Sequence, residues 1–292
     1  MTEEQNQMSL LELLNRTRLQ IFTYKQGTLM KQAYPNGAGS GFFFLHKNRV
    51  ILVTADHVCH PFDHEPGRTQ RVFEDKDVAL VNNWVEKDEN GVDMPILTPV
   101  GGFYYFDQFR VDIDKGLVGD FKPFDATFAI LGKDRFQKPF KNEGIRAQNG
   151  PTVPAGLDMI PIPTDAVIEP NSTDRYICYG HTQFGLADDG VHLKWETTIH
   201  EDMKYCCDCG DYYVLTPAEP IKNEEWEGIS GAPVLNQEGG LIGILCGGDP
   251  DNNMIFVMKM KAVLSLIDST MRIEEIEAQK TMNHEPLTLN QK

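Results

Sequence analysis

The sequence predicts an all-β protein built as two β-barrels in tandem, with a helix before the first and another after the second. Three observations carry this. Short runs rich in β-branched and aromatic residues recur along the chain, punctuated by glycine turns. A proline-rich stretch splits those runs into two groups. After the last run, apolar residues return at the three- to four-residue spacing of a helix.

The first element is a helix within residues 1–19. Leu10, Leu11, Leu13 and Leu14 are broken by Glu12, and Ser9 with Glu12 forms a capping box, so the segment is amphipathic. Acids stand where a secretory signal carries bases, which points to a cytoplasmic protein. No apolar run has the length a membrane span needs.

Residues 20–135 hold the first barrel. Gly39 to Leu45 and Val50 to Thr54 read as adjacent strands joined at His46-Lys47-Asn48. Further strands are expected at 78–85, 103–113 and 126–131, with a charged, Gly- and Pro-bearing loop over 86–102. Pro139, Pro151, Pro154, Pro161, Pro163 and Pro170 mark residues 136–170 as an extended connector. The second barrel occupies 171–260, with strands at 176–179, 212–215, 233–235, 241–245 and 254–258 and a hairpin around Ala187-Asp188-Asp189-Gly190. Val263, Leu266, Ile267, Met271, Ile273 and Ile276 place a helix over 261–279, and residues 280–292 form a loose polar tail.

Bulk chemistry narrows the function. The 292 residues are 41% hydrophobic, enough for a packed core, and carry a net charge of −16. Such a surface repels phosphate backbones, so a nucleic-acid partner is excluded and no membrane partner is expected. Six cysteines in a chain of this size and compartment read as free thiols. Cys206-Cys207-Asp208-Cys209 lacks the paired C-x-x-C spacing of a zinc site, and adjacent strand residues point to opposite faces, so no metal is expected. No phosphate-binding glycine loop appears, and no cofactor is called for.

Three segments carry chemistry: Val53-Thr54-Ala55-Asp56-His57-Val58, Phe124-Asp125-Ala126-Thr127-Phe128-Ala129, and Gly228-Ile229-Ser230-Gly231-Ala232-Pro233. A serine hydroxyl is a weak nucleophile unless a base takes its proton, and the base needs a carboxylate to fix its tautomer. An oxyanion needs backbone N–H donors, which Gly228 and Ser230 can supply from one turn. His60 and His64 compete with His57 as base, and Asp112 and Asp120 compete with Asp125.

These segments, T-A-x-H, D-x-A-hydrophobic and G-x-S-G-x-P in that order, resemble the chymotrypsin/trypsin-like serine peptidases, nearer the bacterial, heat-shock-protease-like branch. The resemblance covers roughly residues 20–270. It implies two six-stranded antiparallel β-barrels and a triad of Ser230 nucleophile, His57 base and Asp125. It also implies a protein or peptide substrate. The family's digestive branch has an aspartate where Ile229 stands, which pairs with a cleaved N-terminus; that activation route is closed here, leaving loop reorganisation or an activating partner. The cysteine partner the family would supply for Cys59 falls in a phenylalanine-rich stretch. By the same resemblance, residues 223–226, including Glu224, line the base of the specificity pocket, with Cys246, Gly247 and Gly248 as a wall. An inward Glu224 or Asp249 would favour Lys or Arg substrates. The competing readings are a catalytically inactive scaffold that binds peptides or partner proteins, and a self-processing viral-type protease.

Overall fold

Ser9 starts the first helix, α1 (Leu10–Thr17): its hydroxyl accepts a hydrogen bond from the Glu12 N–H at 3.1 Å. The structure, a computed structural model, describes residues 8–27, 34–65, 67–68, 70–72, 76–87, 93–112, 117–132, 139–146, 152–186 and 193–283. From Thr17 the chain runs straight into strand β1 (Arg18–Lys25). This strand is not legible in the sequence. Seven of its eight residues are buried, polar ones included, so no apolar–polar alternation marks it.

The first unit is a half-barrel built around β2 (Gly37–His46) and β3 (Arg49–Thr54). They meet in a two-residue turn whose residues, Lys47 and Asn48, have φ of 47° and 60°, the left-handed geometry that matches strand twist. A short helix α2 (Asp56–Cys59) and a 3-10 turn (Pro61–His64) follow. Then come β4 (Lys76–Lys87), β5 (Asp93–Val100), β6 (Phe103–Tyr104), the hairpin β7 (Asp107–Asp112) and β8 (Leu117–Pro123), and β9 (Thr127–Leu131). The sheet order is β5-β4-β1-β2-β3-β9-β6. Residues 93–100 form a strand where the sequence reads as a loop. Its prolines, Pro95 and Pro99, are tolerated because β5 is an edge strand.

The connector carries the pair β10 (Ile145–Arg146) and β11 (Thr152–Val153), then β12 (Ile162–Pro163), which runs parallel to β2 beside Phe44 and Leu45. The second unit closes completely. Strands β13 (Tyr176–Leu186), β14 (Leu193–Cys209), β15 (Tyr212–Thr216), β16 (Pro233–Asn236), β17 (Leu241–Asp249) and β18 (Met254–Lys259) form a barrel in the order β13-β14-β15-β18-β17-β16. The four-residue helix α3 (Asn223–Trp226) lies between β15 and β16. The turn at Ala187–Gly190 falls outside the described residues.

The closing helix, α4 (Met260–Asn283), is longer than its sequence pattern. Val263, Ile267 and Met271 are buried in the core shared with the half-barrel, whereas Ile273 and Ile276 are exposed. The distal part is held by polar contacts instead: Tyr104 donates to Glu274 at 2.6 Å and Arg49 pairs with Glu274 at 2.7 Å. No helix among the described residues is long and apolar enough to cross a membrane.

Candidate active site

Pairing of β3 with β9 sets Thr54 opposite Thr127, so the residues just beyond each strand end, Asp56–His57 and Asp125, are brought together. The Asp125 Oδ1 accepts from the His57 backbone N–H at 3.1 Å and lies 2.9 Å from its Nδ1, with Oδ2 at 3.0 Å. Burial alone would lower the His57 pKa, but the charge and hydrogen bond of Asp125, helped by Asp56, outweigh it and raise the value above that of a free imidazole. Burial pushes the Asp125 carboxyl up, and His57 pulls it down further than that, so it stays ionised. Its backbone carbonyl accepts from the Cys246 thiol at 3.3 Å, tying this half of the site to β17.

Ser230 sits in the turn between α3 and β16. Gly228 and Gly231 flank it with φ of 97° and 92°, and a Cβ on Gly231 would stand 1.9 Å from the Ser40 carbonyl oxygen. The turn is pinned to the half-barrel by the Ser40 N–H, which donates to the Ser230 carbonyl at 2.7 Å, and to β17 by the Gly231 N–H, which donates to the Leu245 carbonyl at 2.8 Å. Among the described residues, the N–H groups of Gly228 and Ser230 have no acceptor, and neither Ser230 Oγ nor His57 Nε2 makes a hydrogen bond.

Beside Ser230 opens a cavity of about 260 Å³ lined by Ile221, Asn223, Trp226, Glu227, Ser230, Leu245, Gly247 and Gly248. Two of the residues expected there are elsewhere. Glu224 is exposed on α3 and does not line the cavity, and Cys246 is buried with its thiol turned to Asp125. The acidic residue that does line it is Glu227, which is itself exposed. Asp249 is engaged in its own turn, accepting from the Asp251 and Asn252 N–H groups at 3.1 and 3.2 Å.

The competing histidines have Asp56 as their nearer partner, although His64 Nε2 also stands 3.8 Å from Asp125 Oδ1. His60 and His64 each lie 2.9 Å from the carboxylate of Asp56, which is fully buried and also receives Arg71 Nη1 at 2.9 Å. Arg71 continues to Asp63 at 3.1 Å and Asp107 at 2.6 Å. Burial alone would raise the Asp56 pKa; the two imidazoles and Arg71 instead hold it far below the usual carboxylate range. The side chains of Asp112 and Asp120 lie outside the described residues. Sequence reasoning missed Asp56 and Arg71 as structural partners, and Ser40 and Thr54 as supports of the serine turn. Asp56 adjoins His57 in the motif, but nothing local marks the other three.

All six cysteines are free thiols: Cys59, Cys178 and Cys246 are buried, whereas Cys206, Cys207 and Cys209 are exposed at the β14 end.

No protein-family model matches the chain, and no curated protein matches it. Among solved structures it is similar to the serine endoprotease from Yersinia pestis, at 11% identity and a TM-score of 0.42, covering 90% of this chain and 66% of that one. It is also similar to catalytically active tobacco etch virus protease complexed with product, at 11% identity and a TM-score of 0.40, covering 85% of this chain and 74% of that one. The chain therefore spans just under two thirds of the length of the first of these.

Proposed function

We propose that this chain is a serine endopeptidase of chymotrypsin-like fold, acting through Ser230, His57 and Asp125. The observation that carries the reading is the buried Asp125 gripping His57 through both its backbone and its Nδ1, in a site whose serine lies free beside a side-chain-sized cavity. With Nδ1 donating to Asp125, Nε2 is left as the base. Ser230 Oγ attacks the scissile carbonyl carbon as its proton passes to His57 Nε2. The uncommitted N–H groups of Gly228 and Ser230 receive the oxyanion. Collapse expels the amine, which takes the proton from His57, and water then cleaves the acyl-enzyme with His57 again as base. No step calls for a cofactor.

The substrate is a protein or peptide. A preference for Lys or Arg runs through Glu227, the acidic residue of the cavity lining, rather than through Glu224. The resting Ser230 hydroxyl makes no bond to His57, so substrate or an activating partner completes the contact on binding. Residence in the cytoplasm is part of the same reading, supported by six unpaired thiols.

That same uncommitted hydroxyl favours a second reading, an inactive scaffold that binds peptides in the cavity. Labelling with a fluorophosphonate probe, read by intact mass, separates the two. One adduct on the wild type and none on Ser230→Ala supports the peptidase. No adduct on either, with peptide binding retained, supports the scaffold.

A further inference from the structure

Arg18 is buried on β1, and among the described residues it makes no ion pair. Its guanidinium is held by neutral acceptors. Nε donates to Ser40 Oγ at 3.1 Å, Nη1 to His181 Nδ1 at 3.0 Å, and Nη2 to Gln20 Oε1. Burying a cation this way is costly, and exposed or carboxylate-paired positions are the rule for arginine. Arg71, Arg49 and Arg16 in this chain each meet a carboxylate. Among the described residues, the acid whose charge acts on Arg18 stands one residue removed: Glu143 accepts from His181 Nε2. His181 Nδ1 lies 2.7 Å from Gln20 Oε1 as well as 3.0 Å from Arg18, so the tautomer is set at the other nitrogen: Glu143 takes the Nε2 proton, and a neutral ring then leaves Nδ1 to accept from Arg18. Burial and Arg18 hold the His181 pKa down to about 4, in keeping with that tautomer.

Ser40 carries the contact onward. A hydroxyl has one proton to give. Because Arg18 Nε fills the acceptor side of Ser40 Oγ, that proton is directed to the Gly228 carbonyl, 3.3 Å away. The Ser40 N–H holds the Ser230 carbonyl at 2.7 Å, and the Ser40 carbonyl accepts from Thr54 Oγ1 at 2.7 Å. His181 contributes again through its backbone, whose carbonyl oxygen packs 2.6 Å from where a Cβ on Gly228 would stand. The carbonyls of Gly228 and Ser230 belong to the rigid peptide planes on either side of the 229–230 peptide. Holding both restrains the turn on either side of that peptide, whose own plane is held by the Ala232 N–H donating to the Ile229 carbonyl at 2.9 Å, which sets the direction of the Ser230 N–H.

We propose that Arg18 and Ser40 are positioning residues: a buried brace that holds the serine turn with its N–H groups arranged for an oxyanion. The proposal rests on the peptidase reading for its catalytic consequence, but not for its structural one. Ser40→Ala and Arg18→Met, singly and together, test it. Folding is checked by thermal melting, and Ser40→Ala, the smaller change, carries the test if Arg18→Met fails to fold. The brace predicts that Ser40→Ala slows phosphonylation of Ser230 by a fluorophosphonate probe at least tenfold per folded molecule. On a peptide ester, kcat falls by a similar factor with KM little changed, a split that general loosening of the fold would not produce. The double variant is no slower than the slower single, because both residues act through one path. Amide hydrogen exchange over residues 226–235 is at least tenfold faster in Ser40→Ala. Labelling within twofold of wild type, or effects of the two substitutions that multiply, overturns the brace. If the wild type takes no label, the peptidase reading falls, and exchange alone decides: faster exchange upholds the brace and unchanged exchange removes it.

Discussion

One oxygen of Asp125 serves His57 twice: Oδ1 lies 3.1 Å from the backbone N–H and 2.9 Å from ring Nδ1. Position and tautomer of the imidazole therefore come from the same carboxylate. Asp125→Asn keeps an acceptor for the backbone N–H but lets the amide nitrogen face the ring, which favours the wrong tautomer. The expected result is a fall in kcat of about 10⁴ with the melting temperature nearly unchanged. Steady-state kinetics with a peptide ester checks it; a loss below tenfold would contradict the role given to Asp125.

The His57 pKa is raised, and His57 must be neutral to accept the serine proton. Activity is therefore lost as pH falls through that raised value, and the ascending limb of kcat/KM lies above about pH 6.5, the free imidazole value. The same shift makes the folded pair more stable relative to the unfolded chain below the unfolded pKa, a contribution that disappears as pH rises through the folded one. A kcat/KM profile over pH 5–9 locates the limb. A midpoint at or below the free value would count against the Asp125–His57 pairing.

Arg71 bridges Asp56 and Asp63, both buried. Arg71→Met leaves two buried carboxylates short of a partner and is expected to destabilise the fold by about 3–5 kcal/mol in urea titration. The pH dependence follows from the depressed Asp56 pKa. Its stabilisation is complete above the usual carboxylate pKa and is lost as pH falls through the folded value, so this network opposes acid unfolding across that window. In Arg71→Met the acid transition moves to higher pH; an unmoved transition would mean the network is not what resists acid.

Gly231→Ala adds a Cβ at φ 92° and 1.9 Å from the Ser40 carbonyl oxygen, against backbone that cannot swing aside. Strain and overlap together are expected to cost about 2–4 kcal/mol. Ser230 labelling is expected to disappear with the displaced turn. Wild-type urea midpoint and wild-type labelling in this variant would refute the close approach of Ser40 to the turn.

The cavity gives a specificity prediction. Glu227→Gln is expected to lower kcat/KM for Lys and Arg peptides at least tenfold relative to neutral ones, since it removes the negative charge of the acidic residue in the cavity lining. Gly247→Ala meets nothing within 4 Å, so it is expected to leave the melting temperature alone while disfavouring bulky side chains. A peptide library against both variants reads the two effects, and an unchanged ratio of charged to neutral cleavage for Glu227→Gln removes Glu227 from recognition.

Short-range pattern determined much of this protein. The capping box at Ser9 marks the start of α1, the apolar runs at 39–45 and 50–54 mark β2 and β3, and the glycines around Ser230 mark a turn, because each signal lies within a few residues of its effect. The strands β3 and β9 were legible beside His57 and Asp125, but choosing these two over His60, His64, Asp112 and Asp120 rested on the resemblance of their motifs, not on local pattern. Tertiary structure alone decided the rest. β1 hides its polar residues in the interior, so it carries no alternation to read. Ser40 reaches Gly228 across 188 residues and Arg18 reaches His181 across 163, contacts that no local pattern encodes. Glu227 rather than Glu224 lines the cavity because of how α3 packs against β13, not because of either residue's neighbours in sequence. Burial and charge compensation are properties of what surrounds a residue in space, and for Arg18, Asp56 and Arg71 those surroundings exist only once the chain has folded.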